Sequence, residues 1–140
     1  MSMIYVAKYI LTEEYVCRCC HSLPPGFNSD KPDAPFEILF DSFALIRERW
    51  GAPINITSGY RCPRHNSFVS GHPLSVHQFG LALDIKVEPH DIERLYSIVE
   101  HEVPNLRVGK YETWLHIDVG YLIYPKASYS WKKGVRWNET

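Results

Sequence analysis

Two apolar segments of this chain carry ionisable residues where a half-buried strand would normally present hydrocarbon: L-A-L-D-I-K-V at 81–87 and W-L-H-I-D at 114–118. Alternation along the second sends Trp114, His116 and Asp118 to one face, with Leu115 and Ile117 entering the core on the other. In the first, Asp84 shares a face with Ala82 and Lys86. Groups of this kind are tolerated inside a fold only when something pairs with them. The chain is therefore constrained to a layered structure in which one face of a sheet is apolar and the other holds a polar cluster.

His77 lies just ahead of the first segment, across Gly80. If the two strands are neighbours, His77, Asp84 and His116 converge within reach of one ion at the roughly 2.0 to 2.2 Å that Zn–N and Zn–O bonds require. Two neutral imidazoles and one carboxylate leave Zn²⁺ with a net charge of about +1 and a position free for solvent, the composition of a catalytic rather than a structural site. The competing reading makes both histidines ordinary hydrogen-bonded residues and Asp84 a turn or salt-bridge carboxylate.

The rest of the chain reads as an α+β fold. Phe36, Leu39, Phe40, Phe43, Ile46 and Trp50 recur at helical spacing, with Asp33 and Pro35 at the start and Gly51 at the stop. Ile92, Leu95, Tyr96 and Val99 do the same after Pro89. Strands are expected at 53–57, 81–87, 106–110 and 114–119, and short helices near 63–69 and after Leu11, where Thr12 is the expected cap. Four of the ten prolines fall in 22–35, which should be irregular. Helices followed by adjacent strands predict helices packed on one face of a small, largely antiparallel sheet carrying the zinc site.

With 140 residues and 45% hydrophobic content, one domain is expected over 1–140, with a core at about 36–137 and an N-terminal helical and loop extension at 1–35. A net charge of -1 gives no reason to expect nucleic acid as a partner. No apolar run reaches the length of about eighteen residues that spans a bilayer, so membrane insertion is not expected. No signal peptide is visible, so the chain is expected to be cytoplasmic as synthesised, and a monomer.

Cys17, Cys19 and Cys20 crowd together and Cys62 stands alone. The C-x-C-C-H cluster admits a second-metal reading with Cys62 as a fourth sulfur. Structural zinc spacings, however, favour C-x₂₋₄-C pairs from two separate loops, so buried small hydrophobes, or one disulfide in an exported protein, are the expected roles.

Taken together and in order, S-G-Y-R at 58–61, Asn66, Gly71, S-x-H-x-x-G-x-A-x-D-I from Ser75 and the aromatic-x-H-I-D strand resemble the zinc D-alanyl-D-alanine carboxypeptidases and their phage endolysin relatives, whose fold is shared with the hedgehog signalling domain. The resemblance runs from about Phe36 to Trp137. It implies that His77, Asp84 and His116 bind Zn²⁺, and that Arg61 holds a substrate carboxylate or carbonyl. A guanidinium suits both tasks, since its planar fork captures carboxylates and its charge stabilises an oxyanion. Ser75 is a candidate for binding substrate or orienting a ligand, and Trp114 for walling the pocket.

Several relatives carry an acid three residues before the last zinc histidine. Here that position is Thr113, so Glu112 is the first choice as general base, with Asp118 as the alternative or as a brace for a ligand imidazole. The implied activity is a zinc peptidase that cleaves amide bonds in peptidoglycan stem peptides, of phage or prophage type, acting on the wall after release. A non-catalytic zinc-containing module of the same fold is the alternative.

Overall fold

A computed structural model describes residues 4–124 and 131–138. Residues 1–3, 125–130 and 139–140, part of the expected 1–140 span, lie outside the described residues.

The chain opens with a small hairpin of β1 (Tyr5–Ala7) and β2 (Ile10–Leu11) running into the single turn α1 (Thr12–Tyr15). Then follow α2 (Ala34–Trp50), β3 (Asn55–Ser58), α3 (Pro63–Phe68), β4 (Ala82–Lys86), α4 (Ile92–Glu102), β5 (Arg107–Lys110), β6 (Trp114–Asp118) and β7 (Arg136–Asn138). The main sheet has the order β3-β4-β6-β5-β7. All its pairings are antiparallel except β5 with β7. The fold is thus α+β with a largely antiparallel sheet, as the patterning predicts.

The long helix forms where its periodicity places it. α2 ends at Gly51, which adopts φ 82° and turns the chain out of the helix. Its stripe of Leu39, Phe43 and Ile46 is fully buried and joins Leu83, Ile85, Leu115 and Ile117 from the sheet. α4 packs beside it and adds Leu95 and Val99. Removing a side chain such as Phe43 from this layer would cost about 3–5 kcal/mol, because the cavity left behind closes only in part. The apolar faces of β4 and β6 are spent here, and their polar faces are left for the other side.

Two local expectations change. Thr12 is the first helical residue of α1, not its cap; the Glu14 carboxylate accepts from the Leu11 amide at 2.9 Å instead, leaving the Thr12 hydroxyl buried without a partner. The hairpin β1–β2 and the edge strand β7 were not anticipated. Both are only two or three residues long, too short for alternation to show. Among the described residues, no helix is long and apolar enough to cross a membrane.

Candidate metal centre

Sheet register brings the polar residues together. Asp84 on β4 lies directly opposite His116 on β6, and on its other side faces Ser58 of β3. His77 sits in a single 3₁₀ turn, Val76–Phe79, whose entry is fixed by the Ser75 hydroxyl accepting from the His77 amide at 3.3 Å. Gly80 ends that turn at φ 74°, and a side chain there would collide with Pro24 and the Tyr15 hydroxyl. Only glycine gives the chain this exit into β4.

Three candidate ligand atoms lie within 4.8 Å of one another, with Asp84 and His116 lining a cleft of about 810 Å³ and His77 buried behind them. Asp84 Oδ1 is 3.1 Å from His77 Nε2 and 3.1 Å from His116 Nδ1. The second nitrogen of each ring fixes what these contacts mean. His77 Nδ1 is 2.6 Å from the Gly59 carbonyl oxygen, which can only accept, so Nδ1 carries the proton. His116 Nε2 is 2.6 Å from Asp118 Oδ2 and donates to it in the same way. With both rings neutral, each would aim a bare lone pair at a carboxylate oxygen, an arrangement of three acceptors with no donor among them.

A cation resolves that conflict. Tetrahedral bonds of about 2.0–2.1 Å place neighbouring donor atoms about 3.3 Å apart, close to the spacings seen. Two imidazoles and a carboxylate match zinc in ligand type, and both imidazoles have the outer hydrogen bond that metal-binding histidines use to fix their tautomer. The residues present fit the ion.

The electrostatics of the metal-free protein report the same strain. Burial lowers the His77 pKa despite the neighbouring Asp84, so this ring stays neutral. Burial also opposes charge on His116, but its bonds to Asp118 and Asp84 outweigh it and lift the ring to about 9. Burial would raise the Asp84 carboxyl, yet the charges and hydrogen bonds of the two imidazoles hold it below the usual carboxylate range. Without a metal, a proton on His116 stands in for it.

Behind the ligands lies a polar brace. Asp118 is fully buried and accepts from His116, from Arg107 Nη1 at 2.7 Å and from the Gly120 amide at 2.7 Å. The Arg107 guanidinium in turn stacks on Trp131 and Trp137, 4.3 and 5.0 Å from their ring centroids. Trp137 reaches this position because Gly109, opposite His116, has no side chain; a Cβ there would come within 2.5 Å of the indole. Sequence reading missed Arg107, although an arginine inside the buried run L-R-V-G was a signal.

Arg61 and Ser75 line the same cleft, with Arg61 Nη2 donating to the Ser75 hydroxyl at 3.4 Å. The Arg61 Nε is buried with no hydrogen-bond partner. Trp114 forms one wall, stacked face to face on Tyr111 at 3.7 Å. Asn66 braces the rim by donating to the His72 carbonyl at 3.0 Å, and the exposed His72 lines the rim rather than joining the ligands. Glu112 stands apart. It is exposed at the tip of the β5–β6 turn and does not line the cleft.

A family model described as peptidase M15 matches residues 9–118, which include all three ligand positions and also α1 and the cysteine-bearing turn after it. No curated protein matches the chain.

Proposed function

The chain belongs to the peptidase M15 family of zinc-dependent metallopeptidases, and from that premise we propose that it hydrolyses amide bonds in peptidoglycan stem peptides, as a carboxypeptidase or an endolysin-type endopeptidase. The observation that carries this reading is the convergence of His77 Nε2, Asp84 Oδ1 and His116 Nδ1 within 4.8 Å of one another beside an open cleft. When bound there, zinc supplies Lewis acidity, polarising a carbonyl and making water acidic near neutral pH.

The chain's own residues supply the rest. Arg61 lines the cleft and holds its Nη2 against the Ser75 hydroxyl, a planar fork suited to a substrate carboxylate or to the oxyanion that develops at the scissile carbonyl. Trp114 and Tyr111 present a flat apolar wall for the peptide. Asp118 is a positioning residue: its oxygens are committed to His116, Arg107 and Gly120, so it holds the imidazole in the correct tautomer. Proton transfer from the attacking water to the leaving amine then falls to Glu112. To act there its exposed side chain must swing over the rim when substrate binds, and catalytic hydrogen bonds are often long in the free enzyme.

The site of action follows from the substrate: an enzyme that cuts stem peptides acts on the cell wall, and a phage or prophage origin fits that reading. The test is direct. Purified protein should release D-alanine from, or cut within, synthetic stem peptides, lose that activity on chelation and regain it with zinc. Stoichiometric zinc without cleavage across a panel of such peptides would instead favour a zinc-containing binding module. One observation speaks for that second reading: Asp84 and Asp118 are the only carboxylates among the described residues lining the cleft, and both are committed.

A further inference from the structure

We propose that Cys17, Cys19, Cys20 and Cys62 form a second, structural zinc site. The four sulfurs come from two segments that are 45 positions apart at their bonded ends, yet all lie within 4.8 Å of one another. Cys17 Sγ is 3.5 Å from Cys19 Sγ, which is 3.4 Å from Cys62 Sγ. Four thiolates bound tetrahedrally at about 2.3 Å sit about 3.8 Å apart. The cluster is thus slightly tighter than a zinc site, and no two of its sulfurs are joined in a disulfide.

Burial overturns the expectation that these are packed small hydrophobes. Only Cys17 is buried; Cys19 and Cys20 are exposed and Cys62 is intermediate. Exposed thiols gain nothing from clustering for its own sake, and four negative thiolates would repel. A divalent ion reverses the sign of that interaction.

Backbone donors already address the sulfurs. The Cys62 amide donates to Cys17 Sγ at 3.4 Å and the His65 amide to Cys62 Sγ at 3.4 Å. Such bonds favour the thiolate form that a metal needs. A further polar contact joins Cys20 Sγ and the Ser22 hydroxyl, at 2.9 Å. The turn that carries three of the cysteines is closed by the Cys17 amide bonding to the Ser22 carbonyl and the His21 amide to the Cys17 carbonyl, with His21 at φ 55°.

All four positions are filled by protein, so this site is closed to substrate, unlike the histidine and aspartate trio. Its task is mechanical. It ties the turn after α1 to the segment just before α3, where Tyr60 bonds to Tyr15 and the Arg61 amide to the His77 carbonyl. Arg61, adjacent to Cys62, is thereby anchored from both sides.

The proposal is independent of the peptidase reading and has its own readout. Full-length protein purified under reducing conditions should hold about two zinc ions per chain, and the His116→Ala variant should keep one that is released only when a mercurial titrates the thiols. Cobalt in that variant should give intense sulfur-to-metal charge transfer and the visible bands of a tetrahedral all-thiolate site. Cys19→Ser and Cys62→Ser should each abolish these bands. A single metal in the wild type with four thiols that react freely while it stays bound would overturn the proposal. So would a disulfide among the four found by mass spectrometry in the reduced preparation.

Discussion

The polar face of β4 and β6 and the turn following α1 each gather metal-type ligands, by opposite means. On the sheet, register does the positioning: Asp84 must face His116 because the strands pair in that register, and slipping by one residue would turn every core side chain outward. In the turn there is no ladder to fix Cys17, Cys19 and Cys20, and their partner Cys62 arrives from a separate loop. The first cluster is prepared by the fold and backed by Asp118 and Arg107. The second has to help make the fold around itself. A prepared, open cluster is suited to chemistry, a self-assembling closed one to holding parts together.

The contrast can be broken most severely with His116→Ala. Hydrolysis of stem peptides should fall by about 10³-fold or more as the trio loses its ion, while the cysteine cluster keeps its thiol-bound metal; loss of both metals together would erase the distinction. Glu112→Gln should lower kcat by about 10²-fold to 10⁴-fold with the metal content unchanged, measured by steady-state kinetics on metal-replete protein. Unaltered kcat would remove Glu112 from the reaction.

Asp118→Asn tests the brace. Metal affinity at the trio should weaken by about 10–100-fold, read by competition with a chromogenic chelator. If instead kcat collapses at full zinc loading with affinity intact, Asp118 is the base. Arg61→Lys keeps the charge but loses the fork, and should raise KM by about tenfold while zinc content at both clusters stays fixed.

The smallest effect concerns pH. In chelated protein the His116 pKa is raised to about 9, above the roughly 6.5 of the unfolded chain. Its contribution to stability is therefore fully present below about pH 6.5 and is lost as pH climbs towards 9. The same proton competes with the metal, so zinc affinity at the trio should rise across that window. Thermal melts of the chelated protein from pH 6 to 9 should decline; a flat or rising profile would mean that His116 is not charged there.

The fold was legible wherever periodicity was long. α2 and α4 carry several turns of apolar spacing, and the alternation of W-L-H-I-D correctly put His116 and Asp118 on one face. The edge strand β7 escaped because three residues hold no pattern, and with it went the placement of Trp137 against Gly109. The convergence of His77, Asp84 and His116 was legible because residue type and order point to it, whereas the tautomer of His77 depends on the Gly59 carbonyl, which no sequence spacing reveals. The position of Glu112 was the least legible: its spacing from His116 gives no view of the turn between Tyr111 and Trp114, which holds it at the exposed tip in the free protein.

Diffraction from crystals of the zinc-loaded protein, recorded on both sides of the zinc absorption edge, tests the account at its centre. It should show an anomalous peak coordinated by His77 Nε2, Asp84 Oδ1 and His116 Nδ1, with a solvent molecule completing the coordination toward the cleft. No peak at that position, or an ion whose coordination is completed entirely by protein atoms, would contradict it.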